Sequence, residues 1–220
     1  MLQERPANNF GIAFILAIII AIGTGVLIVV LGKNGSFQLI NGNHNDIADQ
    51  FFKYFTHYGD GILWVPLGLF CFFFKRKYFI AVLAGAIIST LLAQFLKRVV
   101  YPEELRPISY LSENFPVHQI AGVEMRRLHS FPSGHTTTAF TMALIMSHMI
   151  NKKAWSIILP LLALIAAYSR VYLAQHFPTD LLAGMCIGII SAISALLVYK
   201  KIIRRSNERV VPNKGNQVSR

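Results

Sequence analysis

Apolar positions along the chain fall into six blocks, at 10–31, 61–74, 78–96, 132–150, 155–172 and 181–199. Polar or charged segments separate them. A helix that crosses a bilayer needs about 20 apolar residues, so the pattern predicts an all-α bundle of six transmembrane spans. Block 61–74 is short and borrows length if Lys75, Arg76 and Lys77 snorkel to the interface; a re-entrant segment is the alternative. Block 10–31 is too long for the apolar core of a signal peptide, and only Arg5, offset by Glu4, precedes it. It reads as a retained span. Between the first two blocks, Phe51, Phe52, Tyr54, Phe55 and Tyr58 accompany Asp46 and Asp49. That mixture predicts an amphipathic helix lying in the membrane interface. The blocks make one membrane domain over 1–205, and the polar stretch 206–220, with Pro212 and Gly215, is expected to be an unstructured tail.

Charge sets the orientation. Only 14% of the 220 residues are charged and 54% are hydrophobic, against about a quarter charged in a soluble domain. The net charge is nevertheless +11. Arg5, Lys75–Lys77, Lys152, Lys153 and the basic residues from Lys200 onward all fall on one side of the six-span plan, with only Glu4 and Glu208 opposing them. The opposite side holds equal numbers of basic and acidic residues. Basic loops mark the cytoplasmic face, so both termini are expected inside. The excess charge then reports orientation and contact with anionic lipid, not nucleic-acid binding. Cys71 and Cys186 lie within apolar blocks and suit neither a disulfide framework nor a zinc site.

Three clusters of reactive residues converge on the outer side: Lys97-Arg98 with Arg106-Pro107; Ser130 to His135; and Ser169-Arg170 with His176 and Asp180. Lys97, Arg106 and Arg170 offer cations, and the guanidinium fork matches phosphate oxygens. Ser133 and Gly134 open a span, where unpaired backbone N–H groups favour an anion and Gly134 permits close approach. His176 and Asp180 are four apart, a spacing that puts both on one face of a helix starting near Pro178. The carboxylate would fix the imidazole tautomer and leave the other nitrogen to attack phosphorus. His135 is the candidate acid for the leaving oxygen and then base for water. His44, His57, His118, His129 and His148 have no partner at an informative spacing and are given no role. Arg126 and Arg127 are taken as solvated charges near the site.

These residues resemble the motifs of the type 2 phosphatidic acid phosphatase superfamily of membrane phosphatases. Its second motif, Pro-Ser-Gly-His, stands intact at 132–135. Its third, Ser-Arg-x5-His-x3-Asp, stands intact from Ser169 to Asp180. The first, Lys-x6-Arg-Pro, departs: eight residues separate Lys97 from Arg106-Pro107, and seven separate Arg98 from it. Either the loop bulges by two residues or another cation takes the lysine role. The resemblance implies a phosphohistidine mechanism without metal or other cofactor. His176 would be the nucleophile, Asp180 its orienter and His135 the acid, with Lys97, Arg106, Ser133, Gly134 and Arg170 binding phosphate. It further implies membrane lipids as surroundings, a phosphorylated lipid as substrate and no obligatory protein partner. A bacterial inner membrane with the site facing the periplasm is the expected location. A lipid phosphotransferase using the same intermediate and a non-catalytic lipid-binding protein are the alternatives. The family's soluble haloperoxidases lack such spans.

Overall fold

The computed structural model describes residues 8–111 and 116–210, and every regular element among them is helical. Helix α1 (Asn8–Asn41) outruns the block that predicts it. It continues past Leu31 through Gly32, which takes φ 70° and kinks the helix. Glycine adopts that φ without a Cβ clash, so the chain turns while both flanks stay helical. Helix α2 (Asp46–Phe55) starts at Asn45, whose side chain accepts from the Ala48 N–H. It buries none of its residues and exposes Ile47, Phe51 and Tyr54. Two 3-10 turns, Thr56–Gly59 and Gly61–Leu63, lead into α3 (Trp64–Phe74). Helix α4 (Arg76–Phe95) runs directly into a π turn at Leu96–Val100. A single turn, α5 (Pro107–Tyr110), precedes α6 (Gly134–Ile150), α7 (Lys153–Tyr172) and α8 (Pro178–Val210).

Four of these helices are long and apolar enough to cross a membrane: Asn9–Asn41, Arg76–Val100, Lys153–Tyr172 and Pro178–Arg205. Block 61–74 does not form a span of its own. Helix α3 has 11 residues, about 16 Å of rise against a hydrocarbon core of roughly 30 Å. It pairs instead with Asp46–Gly59 across a 51° bend, and the pair would make a fifth crossing. Block 132–150 loses Pro132 and Ser133 to the helix start. Helix α6 keeps 17 residues, about 26 Å of rise.

Helix α6 is the centre of the bundle and packs on α1, α4, α7 and α8. Two glycines of α8 set its distance from α6. A Cβ on Gly184 would lie 2.7 Å from the Ser133 carbonyl oxygen, and one on Gly188 would lie 2.9 Å from that of Thr137. Four residues apart, they present one bare stripe on which a neighbouring helix can close. The Ser133 N–H then donates to the Asp180 carbonyl at 3.0 Å. This contact fastens the first turns of α6 and α8 together.

At the other end of the bundle, the Asn9 amide donates to the carbonyl and side chain of Asn151. The turn that holds Asn151 also carries Lys152 and Lys153. Helix α8 continues beyond Arg205 to Val210, so residues 206–210 of the expected tail are helical. Lys200, Lys201, Arg204 and Arg205 suit the last turns of a helix, where cations face the negative end of its dipole. Residues 211–220, with Pro212 and Gly215, lie outside the described residues, as do Glu4 and Arg5. Cys71 is buried, Cys186 is exposed on α8, and both are free thiols.

Candidate active site

Helix α7 ends in a turn that brings His176 back to Arg170. Ala174 takes the left-handed conformation, φ 54°. The Gln175 N–H donates to the Arg170 carbonyl at 2.8 Å, and the Ala174 N–H to that of Val171 at 2.9 Å. These are the two bonds of a Schellman cap, which normally has glycine where Ala174 stands. The His176 N–H also reaches the Arg170 carbonyl, at 3.1 Å. The five residues between Arg170 and His176 are therefore one helix cap, and the spacing follows from its geometry.

Helix α8 begins at once, with Pro178 in its first position. His176 lies just before this helix, so the expectation that it shares a helix face with Asp180 is corrected. The carboxylate reaches back instead, as the third residue of a capping box does. Asp180 Oδ2 accepts from the Phe177 N–H at 3.0 Å, from Ser130 Oγ at 2.5 Å and from His176 Nδ1 at 3.2 Å. A carboxylate against Nδ1 puts the imidazole proton there and the lone pair on Nε2. His176 is 2% exposed. Burial above all, then the charges of Arg106, Lys97 and Arg170, holds its pKa well below the ordinary imidazole value. Its neutral form, with the proton on Nδ1, is thereby favoured.

His176 borders a cavity of about 840 Å³ that is also lined by Lys97, Arg98, Arg106, Gly134, His135 and Arg170. Residues from four distant stretches of the chain meet there. Arg170 is buried and donates from Nη1 to Thr56 Oγ1 at 2.7 Å. Its Nε is buried with no partner among the described residues. A buried guanidinium N–H in that state is suited to an anion. Arg106 is more committed. It donates to the carbonyls of Leu128, Gln175 and His129 and to Gln175 Oε1, so it clamps two loops as well as lining the cavity. Burial, with Arg126 nearby, lowers its pKa to about 10, and it stays a cation.

The sequence leaves open which cation fills the lengthened first motif. Lys97 and Arg98 sit on the π turn, which widens the helix by one residue per turn and often marks functional sites. Lys97 is half-buried, and its charge bears on His176. Arg98 is exposed and donates to Gln94 at 2.9 Å. The geometry favours Lys97.

The second motif divides between structure and cavity. Ser133 is fully buried and caps α6, accepting from the Thr136 N–H and hydroxyl. It is absent from the cavity wall formed by the described residues. Gly134 is in that wall, and a Cβ there would meet nothing within 4 Å. His135 Nε2 lies 2.7 Å from Asp60 Oδ1.

Several supporting residues have no spacing signal in the sequence. Thr56 reaches the site from a 3-10 turn, and Asp60 and Gln175 from the turns beside it and after α7. His118 and His44, given no role from spacing, find tertiary partners: His118 Nε2 meets Asp49 at 3.0 Å and its ring stacks on His44. His57 likewise pairs with Asp60, at 2.6 Å.

Residues 75–204 match the PAP2 superfamily. The chain belongs to this family. It is therefore grouped with membrane phosphatases, hydrolases of phosphate esters and anhydrides. It is 30% identical to a lipid A 4'-phosphatase of Bacteroides thetaiotaomicron over 186 residues, 80% of each chain. It is 28% identical to an undecaprenyl-diphosphatase of Sulfolobus acidocaldarius over 155 residues, covering 69% of this chain and 71% of that one. The crystal structure of Aquifex aeolicus LpxE superposes with a TM-score of 0.65 at 34% identity, over 73% of this chain and 92% of that chain. A PAP2 type phosphatidylglycerolphosphate phosphatase from Bacillus subtilis shares the fold with a TM-score of 0.60 at 23% identity, over 86% of this chain and 95% of that chain.

Proposed function

We propose that this PAP2 member hydrolyses a lipid phosphate monoester or diphosphate through a phosphohistidine on His176. The observation that carries this reading is the His176–Asp180 pair: an imidazole held through Nδ1, on the wall of a cavity that Lys97, Arg106 and Arg170 also line. In the first step Nε2 attacks phosphorus, the bond from phosphorus to the leaving oxygen breaks, and His135 gives that oxygen a proton. In the second step His135 takes a proton from water, whose oxygen displaces His176 and releases inorganic phosphate. Lys97, Arg106, Arg170 and the amides at Gly134 face the charge on the transferring group. Ser133 acts through the helix start that it caps.

Phosphate release from a panel of lipid phosphates in detergent, with EDTA and with vanadate, tests the reaction. Release should persist in EDTA, because the cavity offers phosphate cations where a magnesium site needs oxygen ligands. Vanadate should inhibit it. Loss in EDTA that magnesium restores is incompatible with this site.

The phosphate subsite has its own test. Lys97→Ala should lower kcat by about 10²-fold or more, the effect of losing one contact made to transition-state charge. Arg98→Ala should change it by only a few-fold. The opposite ranking moves the lysine role to Arg98.

The reading includes six crossings, with α6 as a short central span and the bent segment 46–74 as a broken one. Helix α2 is the outer limb of that broken span and meets the interface there, with Ile47, Phe51 and Tyr54 towards lipid. The cavity faces the periplasm of a bacterial inner membrane, since Lys75–Lys77 and Lys152–Lys153 lie at the opposite end. Single cysteines in a variant lacking Cys71 and Cys186 check this. Gln119→Cys should react with an impermeant thiol reagent added to intact cells, and Lys152→Cys should react only after lysis. Labelling of Lys152→Cys in intact cells reverses the topology.

A further inference from the structure

The turn at Thr56–Gly59 and the residue after it press against the site from outside the sequence motifs, and outside the 75–204 region that matches the family. Three contacts fix it there. Thr56 accepts from Arg170. Gly59 packs so tightly on His135 that a Cβ would sit 2.9 Å from the His135 carbonyl oxygen and 3.0 Å from its Cβ. Asp60 holds His135 with one carboxylate oxygen, 2.7 Å from Nε2, and His57 with the other, 2.6 Å from Nδ1. Asp60 is 30% exposed and His57 is 69% exposed, so the chain His57–Asp60–His135 runs from solvent to the cavity wall.

We propose that Asp60 is the positioning residue for His135, making a second carboxylate–histidine pair in the site. The two pairs are mirror images. Asp180 holds His176 at Nδ1 and frees Nε2 for phosphorus. Asp60 accepts the Nε2 proton of His135, so Nδ1 carries the exchangeable second proton of the imidazolium. In the first step the Nδ1 proton passes to the leaving oxygen as its bond to phosphorus breaks. In the second step Nδ1 takes a proton from the attacking water, so the imidazole ends as it began. The charges of Arg170 and Lys97 oppose an imidazolium here, and Asp60 supplies the nearby negative charge that offsets them. His57, on the second oxygen, keeps the Asp60 carboxylate turned towards His135.

The proposal rests on the reading of His135 as acid for the leaving group, and leaving-group dependence separates the two. Single-turnover formation of the phosphoenzyme is measured with an alkyl lipid phosphate and with p-nitrophenyl phosphate, whose leaving group needs no proton. His135→Ala should slow the alkyl ester by about 10²-fold or more and p-nitrophenyl phosphate far less. Asp60→Asn, which keeps the shape of the side chain, should show the same selectivity with a loss of about 10- to 100-fold on the alkyl ester, the range typical of a carboxylate acting through histidine. KM should change little. In the double variant Asp60→Asn/His135→Ala, the loss should be no greater than in His135→Ala alone. Asp60→Ala, folded as judged by size-exclusion profile and melting temperature, provides a second reading if Asp60→Asn is recovered poorly. If both Asp60 variants slow the two substrates equally, or if the double variant shows additive losses, Asp60 only supports the fold and the proposal fails. If His135→Ala itself is indifferent to the leaving group, the acid assignment fails and the proposal falls with it.

Discussion

His176→Ala should abolish turnover and covalent labelling together. Removing the nucleophile of a comparable catalytic unit lowers kcat by about 10⁶-fold, which places the variant at the background of a phosphate-release assay. The reason is local. On the proposed roles, Lys97, Arg106, Arg170 and the Gly134 amide should still bind phosphate in the variant, but no remaining lone pair would be held against phosphorus. His135, placed as the acid on the leaving-oxygen side, is not expected to substitute. The check is rapid quench with radiolabelled substrate. The parent enzyme should yield label that is stable to base and labile to acid, as a phosphoramidate is, and His176→Ala should yield none. Binding of vanadate or substrate should survive, since the cations remain. Label of the same lability in His176→Ala would falsify His176 as the attacking group.

The sequence makes the chemistry of this site legible more readily than its construction. Arg170, His176 and Asp180 are visible because a helix cap and a helix start fix their spacing, and a fixed spacing is a sequence signal. His135 and Gly134 are visible for the same reason. The lysine position is ambiguous because a π turn changes the register between Lys97 and Arg106, and propensity does not reveal a π turn. Asp60, Thr56 and Gln175 stay hidden because they reach the site through tertiary contacts. The apolar blocks locate most of the helices, since lipid-facing and buried faces are both apolar. They misplace ends where a polar cap lies inside a block, as at Ser133, or where a glycine lets a helix bend and continue, as at Gly32. The short block 61–74 does not become a crossing of its own because the 3-10 turns ahead of α3 use up its first residues.

Asp180→Asn should be the less damaging of two changes at the carboxylate, with Asp180→Ala the more damaging. All three close donors, from Ser130, His176 and Phe177, converge on the single oxygen Oδ2. An asparagine carbonyl in that place accepts the same three bonds, so the His176 proton stays on Nδ1 and Nε2 keeps its lone pair. What disappears is the negative charge facing an imidazole that becomes cationic as the bond to phosphorus forms. Loss of one such electrostatic contribution corresponds to about 10²- to 10³-fold in kcat. Asp180→Ala removes the charge and the acceptor together. It frees the imidazole to take the wrong tautomer, which costs about 10⁴-fold where a carboxylate fixes a catalytic histidine. It also leaves the buried Phe177 N–H without a partner, a penalty of about 1–3 kcal/mol in stability. Ser130→Ala, with two donors remaining on Oδ2, should lose about 10-fold or less. Single-turnover labelling of His176 in the three variants, beside their melting temperatures, gives the ranking. Equal labelling rates in Asp180→Asn and Asp180→Ala would show that the tautomer is not held through Oδ2, and the nucleophile would then have to be oriented by its backbone bond to Arg170 alone.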